Sequence, residues 1–308
     1  MVCYHPIQGY RSREGRNPLS GKWKIAFNSV EGFGDLPVTL PCGQCTGCRL
    51  ERSRQWAIRC VHEAQMYEKN CFITLTFNDE NLNKKLTLVK RDFQLFMKRL
   101  RKRFLDESIR YYHCGEYGTL LQRPHHHAIL FNFDFPDKKL WQVREKIPLY
   151  RSEILEELWP YGFCTIGQAT FESAAYVARY ILKKITGDRA AAHYGDRLPE
   201  YTTMSRRPGI ARAWYDRYKS DVYPHDYVVI RGGRRCRPPR YYDSIYDLEE
   251  PKKFKKIKYN RTKNALFNVM KETGQNARLA MLKGLSRERL AVMERAKELQ
   301  VKRLIRSI

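Results

Sequence analysis

The chain reads as an α+β protein: an antiparallel sheet flanked by helices, with a cysteine-rich module before it and a helical tail after it. Three observations predict this. Short runs rich in β-branched and aromatic residues recur at Cys71–Phe77, Ile109–Tyr117, Arg123–Phe133 and Gly162–Thr170. Stretches with apolar residues at helical period separate them. Ahead of them, Cys42, Cys45 and Cys48 stand at C-x₂-C-x₂-C spacing.

Taken in order, residues 1–48 are rich in Gly, Pro and Cys and show little periodicity. Arg49–Tyr67 predicts a helix with Trp56, Cys60, Ala64 and Tyr67 on one stripe. Cys71–Phe77 (CFITLTF) predicts a buried strand. Leu88–Phe104 predicts an amphipathic helix whose apolar face is Phe93, Phe96, Met97, Leu100 and Phe104. Ile109–Tyr117 and Arg123–Phe133 form a hairpin. Arg151–Trp159 is a short helix that stops at Pro160, and Gly162–Thr170 a fourth strand. Ser173–Ile185 is a helix with Ser173 at its N-cap and Gly187 beyond its end. The order over Cys71–Ile185 is β-α-β-β-α-β-α. Residues 188–222 look irregular apart from a short aromatic helix near Ala211–Tyr218. His225–Tyr242 predicts a hairpin turning at Gly232-Gly233, and 243–275 a polar linker. Ser286 caps a last helix with Leu290, Met293, Val301, Leu304 and Ile308 on one stripe. Four regions follow: a cysteine-rich module and helix at 1–68, the sheet core at 69–187, a basic aromatic extension at 188–245, and a linker with a C-terminal helix at 246–308.

Charge points to the partner. Lys and Arg number 58 against 33 Asp and Glu, a net +25 over 308 residues. An excess of that size predicts a polyanionic partner, with nucleic acid foremost. The 20 Tyr and 14 Phe suit base stacking beside phosphate contacts, although most will be ordinary core. No segment approaches the ~18 continuous apolar residues of a membrane span, and the N-terminus lacks the apolar region of a signal peptide. The expectation is a cytosolic protein whose nine cysteines are reduced, so that clustered ones read as metal ligands. Gly15–Lys22 superficially resembles a phosphate loop, but one residue too many separates its glycines and Trp23 replaces the Ser or Thr that would hold Mg²⁺. No nucleotide cofactor is expected, and duplex unwinding must come from elsewhere.

Three of the eight histidines stand in a row at His125, His126 and His127. On a strand, alternate side chains share a face, so His125 and His127 lie about 7 Å apart on one side and His126 turns outward on the other. A register slip of one residue would make His126 the ligand instead. Glu116, across the short hairpin, completes a His-His-Glu set. Such a set suits Mg²⁺ or Mn²⁺ when phosphate is the remaining ligand, with Zn²⁺ as the rival ion. The ordinary alternative is a pair of packed, hydrogen-bonded strand histidines. Tyr176 and Tyr180 follow at i, i+4 on one helical face. That spacing more often marks a core stripe, but Arg179, Lys183 and Lys184 surround the pair, and cations favour a phenolate nucleophile. Cys42, Cys45 and Cys48 need a fourth ligand to close a structural Zn²⁺ site; Cys3 is the first choice and His5 the second. An iron–sulfur cluster and plain buried thiols are the alternatives. Arg231, Arg234, Arg235, Arg237 and Arg240, followed by Tyr241, suit phosphate contacts and base stacking, against the alternative of a solvated charged loop.

CFITLTF, Glu116 with the histidine row, and YVARYILKK together resemble the three motifs of HUH endonucleases, in their two-tyrosine form. With PCGQCTGCRLERSRQWAIR and MSRRPGIARAW, the chain is similar over residues 1–242 to the replication initiators of microviruses of gokushovirus type. The family's middle motif position is usually apolar or aromatic, where this chain has His126. The resemblance implies an HUH/Rep-type core that nicks single-stranded origin DNA. It assigns the metal to Glu116, His125 and His127, the nucleophile to Tyr176 or Tyr180, and charge stabilisation to Lys183 or Lys184. A 5′-phosphotyrosine and a free 3′-OH for rolling-circle synthesis would result. It also implies a host helicase and polymerase as partners and the host bacterial cytoplasm as location. A plasmid relaxase or transposase of the same chemistry is the alternative enzyme. A zinc-containing nucleic-acid-binding protein without catalysis is the alternative outside enzymes.

Overall fold

A computed structural model describes residues 3–305, except 19, 20, 22, 119, 145, 186, 188, 275, 277, 278 and 280–285; of 179–183, 189, 231, 272, 273 and 302–305 it describes the backbone alone. The chain forms two compact units, Met1–Glu51 with Asn260–Ile308, and Arg52–Tyr259.

The first unit is not irregular at its start. Residues 7–40 form a three-stranded antiparallel sheet in the order β2-β1-β3, from β1 (Ile7–Arg16), β2 (Trp23–Ala26) and β3 (Gly32–Leu40). Its strands lack a clean apolar alternation because few of their side chains are buried. Aromatic and cationic side chains stack on it instead, with the Arg11 and Arg16 guanidiniums 5.6 and 5.3 Å from the Trp23 ring. Helix α1 (Thr46–Ala64) begins here and ends in the second unit.

The second unit holds a seven-stranded sheet, every pair antiparallel, in the order β10-β5-β6-β4-β9-β8-β7. The strands are β4 (Asn70–Leu75), β5 (Arg110–Tyr117), β6 (Pro124–Phe131), β7 (Lys139–Arg144), β8 (Ile147–Arg151), β9 (Cys164–Gln168) and β10 (Tyr201–Met204). Both faces of its centre are covered, which is why the strands are apolar at successive positions. On one face lie α2 (Lys90–Arg103) and α3 (Glu153–Leu158). Phe93, Phe96, Met97, Leu100, Leu155 and Trp159 pack there on Ile73, Leu75, Ala128, Leu130 and Ile166. Each fully buried Leu, Ile, Phe or Met among them contributes roughly 1.5–3 kcal/mol. On the other face, α1, α4 (Phe171–Lys183), α6 (Arg212–Val222) and α7 (Arg240–Glu249) pack on Tyr112, Cys114, Ile129 and Phe131. Glu63 of α1, 2% exposed, accepts hydrogen bonds from Arg110 of β5 and from the Ala211 N–H, so its buried charge is paired.

The structure corrects several expectations. Helix α4 starts one turn earlier than its apolar pattern suggests. Thr170 is the N-cap, in a capping box with Ser173, so Ser173 is the third helical residue rather than the cap. The β7–β8 hairpin is an extra pair at the sheet edge, unannounced because β7 is exposed on both faces. The span read as a linker is helical: α7 is followed by α8 (Pro251–Thr273), whose polar sequence needs no buried stripe over most of its length. The predicted basic hairpin is present as β11 (Val228–Ile230) and β12 (Arg234–Cys236), turning at Gly232 and Gly233 with φ of +73° each. A short α5 (Arg189–Tyr194) precedes β10.

The first unit is completed from the other end of the chain by α9 (Arg287–Ile305). Ser286 caps it, accepting from the Arg289 N–H at 3.3 Å, as expected. Leu290 is 2% exposed and packs with Tyr4, Met293 and the four cysteines Cys3, Cys42, Cys45 and Cys48.

Candidate active site

The alternation along β6 sorts the histidine row. Ile129 and Phe131 belong to the α4 face and Ala128 and Leu130 to the α2 face. His125 and His127 therefore share the α4 face, and Glu116 lies directly across from His125 in the β5–β6 register. His126 is on the opposite face as predicted, but it does not point outward. That face is roofed by α2 and Trp159, so His126 is fully buried, with its Nδ1 3.1 Å from Nε2 of His113. Burial lowers its pKa to about 3, so it stays neutral there. The alternation was readable in the sequence; the cover over the second face was not.

Glu116 is 1% exposed, and one of its oxygens meets both imidazoles, Nε2 of His125 at 2.6 Å and Nε2 of His127 at 3.2 Å. Burial opposes ionisation of the carboxyl, yet the two histidine hydrogen bonds outweigh it and hold its pKa below the usual range. The far nitrogens are also engaged. His125 Nδ1 donates to the Arg123 carbonyl at 3.1 Å, and His127 Nδ1 lies 2.9 Å from the Thr74 hydroxyl. A carbonyl only accepts, so His125 carries its hydrogen on Nδ1 and a neutral ring turns the lone pair of Nε2 toward the carboxylate. That arrangement calls for a positive charge between them, either a proton or a metal ion. Donor atoms of the three residues all lie within 4.8 Å of one another, which fits a divalent cation.

Phe72 of β4 stacks on His127 at 5.5 Å, and Tyr176 of α4 meets the same imidazole edge-on at 5.3 Å. The helix that follows β9 thus brings a phenol to the His-His-Glu face. Thr74 and Phe72 were missed in the sequence, although the alternation of CFITLTF places both on one side of β4. The side chains of Tyr180 and Lys183 lie outside the described residues; Lys184 is half-buried at the C-cap of α4.

The predicted DNA contacts fall in two places. Arg234 and Arg235 are exposed on β12, with the Arg235 guanidinium 4.5 Å from the Tyr227 ring. Arg237 and Arg240 are exposed beyond it, whereas the side chain of Arg231 is outside the described residues. Tyr241 is half-buried in α7, with the Arg59 guanidinium 3.9 Å from its ring. One face of that ring is therefore already occupied.

Four thiols gather in the first unit, on donor atoms within 4.8 Å of one another. Cys3 is the fourth member; His5 instead meets Glu294 at 2.5 Å. Backbone N–H groups converge on the sulfurs: Cys42 N on Cys3 at 3.2 Å, Cys45 N on Cys42 at 3.3 Å and Tyr4 N on Cys45 at 3.4 Å. These donors outweigh burial at Cys42 and lower its pKa, whereas burial raises those of Cys3 and Cys48. Four sulfurs so close together fit a metal, whose charge would offset that burial.

The family model of Replication-associated protein ORF2 matches residues 70–185, the span from β4 to the end of α4 that contains the whole His-His-Glu and tyrosine face. Replication-associated protein VP4 of Bdellovibrio phage phiMH2K is 38% identical over 262 residues, covering 82% of this chain and 80% of that protein. The chain belongs to the phage replication-associated protein family. Within this family, Replication-associated protein ORF2 of Spiroplasma virus 4 is 34% identical over 265 residues, covering 81% of each chain. Replication-associated protein ORF4 of Chlamydia phage 1 is 28% identical over 262 residues, covering 79% of this chain and 62% of that one. No solved structure matches the chain. No helix among the described residues is long and apolar enough to cross a membrane.

Proposed function

We propose that the chain is a site-specific single-strand DNA nicking and joining enzyme that starts rolling-circle replication of a small single-stranded DNA phage genome. The observation that carries this reading is the Tyr176 ring against the buried His127, 5.3 Å away on the face of the Glu116–His125–His127 set. A nucleophile beside a cation site is what phosphodiester transfer needs.

In this reading Glu116, His125 and His127 hold Mg²⁺ or Mn²⁺, which polarises the scissile phosphate when bound. Thr74 and the Arg123 carbonyl keep the two imidazoles turned toward that ion. The phenol oxygen of Tyr176 bonds to phosphorus as the P–O3′ bond breaks. The phenol gives up its proton and the departing O3′ takes one up, leaving a 5′-phosphotyrosine and a 3′-OH that primes synthesis. Tyr180, one turn further along α4, makes the second cut on the regenerated origin, and the ends are joined. Lys183 and Lys184 offset charge in the transition state. Arg231, Arg234, Arg235, Arg237, Arg240 and Tyr241 bind the DNA. Cys3, Cys42, Cys45 and Cys48 hold structural Zn²⁺. A host helicase and polymerase in the bacterial cytoplasm complete the reaction.

The test is a covalent adduct. The protein is incubated with phage-origin single strands and Mn²⁺ and resolved under denaturing conditions. The expected product is a protein–DNA species that Tyr176→Phe with Tyr180→Phe abolishes while DNA binding persists. Absence of an adduct on every origin strand tried would sink the reading.

A further inference from the structure

The sheet face that carries Glu116, His125 and His127 continues past β4. Extending the strand registers by one residue sets Thr76 beside His125 and Phe163 beside Thr76. Thr76 confirms the second pairing, since its N–H and hydroxyl both donate to the Phe163 carbonyl, at 3.0 and 2.8 Å. Two strand spacings put Phe163 about 10 Å from His125. Cys164 and Ile166 are buried on the α2–α3 face, so Phe163 and Gly167 take the other one. A Cβ on Gly167 would meet Phe72 at 3.6 Å, and Phe72 is the ring stacked on His127. The face is thus the same one.

On this outer part the sheet is bare. Phe163 is 41% exposed and Trp141 of β7 is 44% exposed, with ring centroids 5.1 Å apart. The Arg151 guanidinium stands 5.2 Å from the Phe163 ring and pairs with Glu156 at 2.7 Å. None of the hydrophobic clusters among the described residues includes Trp141 or Phe163. The hairpin from 138 to 151 carries five cations (Lys138, Lys139, Arg144, Lys146 and Arg151) and one acid, Glu145. Exposed rings that no described residue covers suit a contact surface. Rings set among cations suit a polyanion with flat apolar faces, which is unpaired nucleic acid.

We propose that Trp141 and Phe163, with Arg151 beside them, form a stacking platform for unpaired bases of the DNA strand whose phosphate occupies the Glu116–His125–His127 site. The proposal rests on the nicking reading and adds to it a track for the strand. Stacking on such rings is tolerant of sequence, because every base has a π-face. The platform therefore holds the strand a few nucleotides from the cut without choosing the cut site.

The test measures binding rather than cleavage. A fluorescein-labelled single strand is titrated by anisotropy without added Mg²⁺ or Mn²⁺, over a range of salt concentrations. Trp141→Ala and Phe163→Ala are each expected to weaken binding about tenfold. The slope of log affinity against log salt should stay as in wild type, since no cation is lost, whereas Arg151→Ala should reduce it. Trp141→Phe should restore most of the affinity, which a general folding defect would not allow. Wild-type affinity in both alanine variants overturns the platform and leaves the nicking reading standing. So does a wild-type dimer in sedimentation that Trp141→Ala dissolves without changing DNA affinity, because β7 is then an edge for a second copy. Failure of the wild type to bind single strands takes down both.

Discussion

The hydroxyl of Thr74 lies 2.9 Å from Nδ1 of His127, on the strand next to it. This contact fixes which way the His127 ring faces and leaves Nε2 for the site. Thr74 acts through the His127 ring, so its effect is one of orientation. Thr74→Val should weaken Mn²⁺ binding by 10- to 100-fold by that principle, measured by titration calorimetry. Thr74→Ser should restore it, and equal affinity in the Val variant would count against the role.

His125→Ala removes one donor of the set and leaves Glu116 and His127 in place. Adduct formation should drop below detection, while anisotropy with a labelled single strand stays near wild type. A parallel loss of DNA affinity would mean that the residue is structural.

His62 gives a pH dependence. Its ring stacks on Trp214 at 3.5 Å, its Nδ1 lies 2.8 Å from the Tyr242 hydroxyl, and burial lowers its pKa to about 3. The folded value lies below the unfolded one of about 6.5, so the unfolded chain binds the extra proton first. Stability from this group is complete above pH 6.5 and declines as pH falls toward 3, by about 2 kcal/mol at pH 5. Burial lowers the pKa of His113 and His126 too, so they add to the same trend. Urea unfolding should therefore show the gap between wild type and His62→Gln narrowing from pH 7 to pH 5. A constant gap would contradict the assignment.

Metal removal should act on one unit. Mass spectrometry of the native protein should find one tightly held Zn²⁺, lost in Cys42→Ser with Cys45→Ser. Hydrogen exchange should then rise in β1–β3 and α9 and stay unchanged in β4–β6. Retention of Zn²⁺ by the double variant would remove the thiolate site from consideration. Iron and sulfide in place of zinc would change the metal and keep the ligands.

Much of the candidate site was legible because its parts are close in sequence and period-two alternation is rigid. His125, His127 and Glu116 follow from one hairpin and its register. Cys3 was named as the fourth member from the need to close the set, although 39 residues separate it from Cys42 and no local spacing ties the two. What covers a face is set by distant segments, which is why buried His126 read as outward. Thr170 and Ser173 share one capping box, so composition alone could not say which of them is the cap. The β7–β8 hairpin hid for the opposite reason: β7 is bare on both sides and leaves no alternation to read.

The thiol cluster draws Cys3 from the start of the chain, and Leu290 and Glu294 close on it from near the end. Those covering residues leave the ribosome only after all of Arg52–Tyr259 has been made. The cover over the cysteines can thus form only after the sheet unit has been made. A chain cut short after Tyr259 would carry the whole Glu116–His125–His127 set and a thiol cluster without its Leu290 and Glu294 cover.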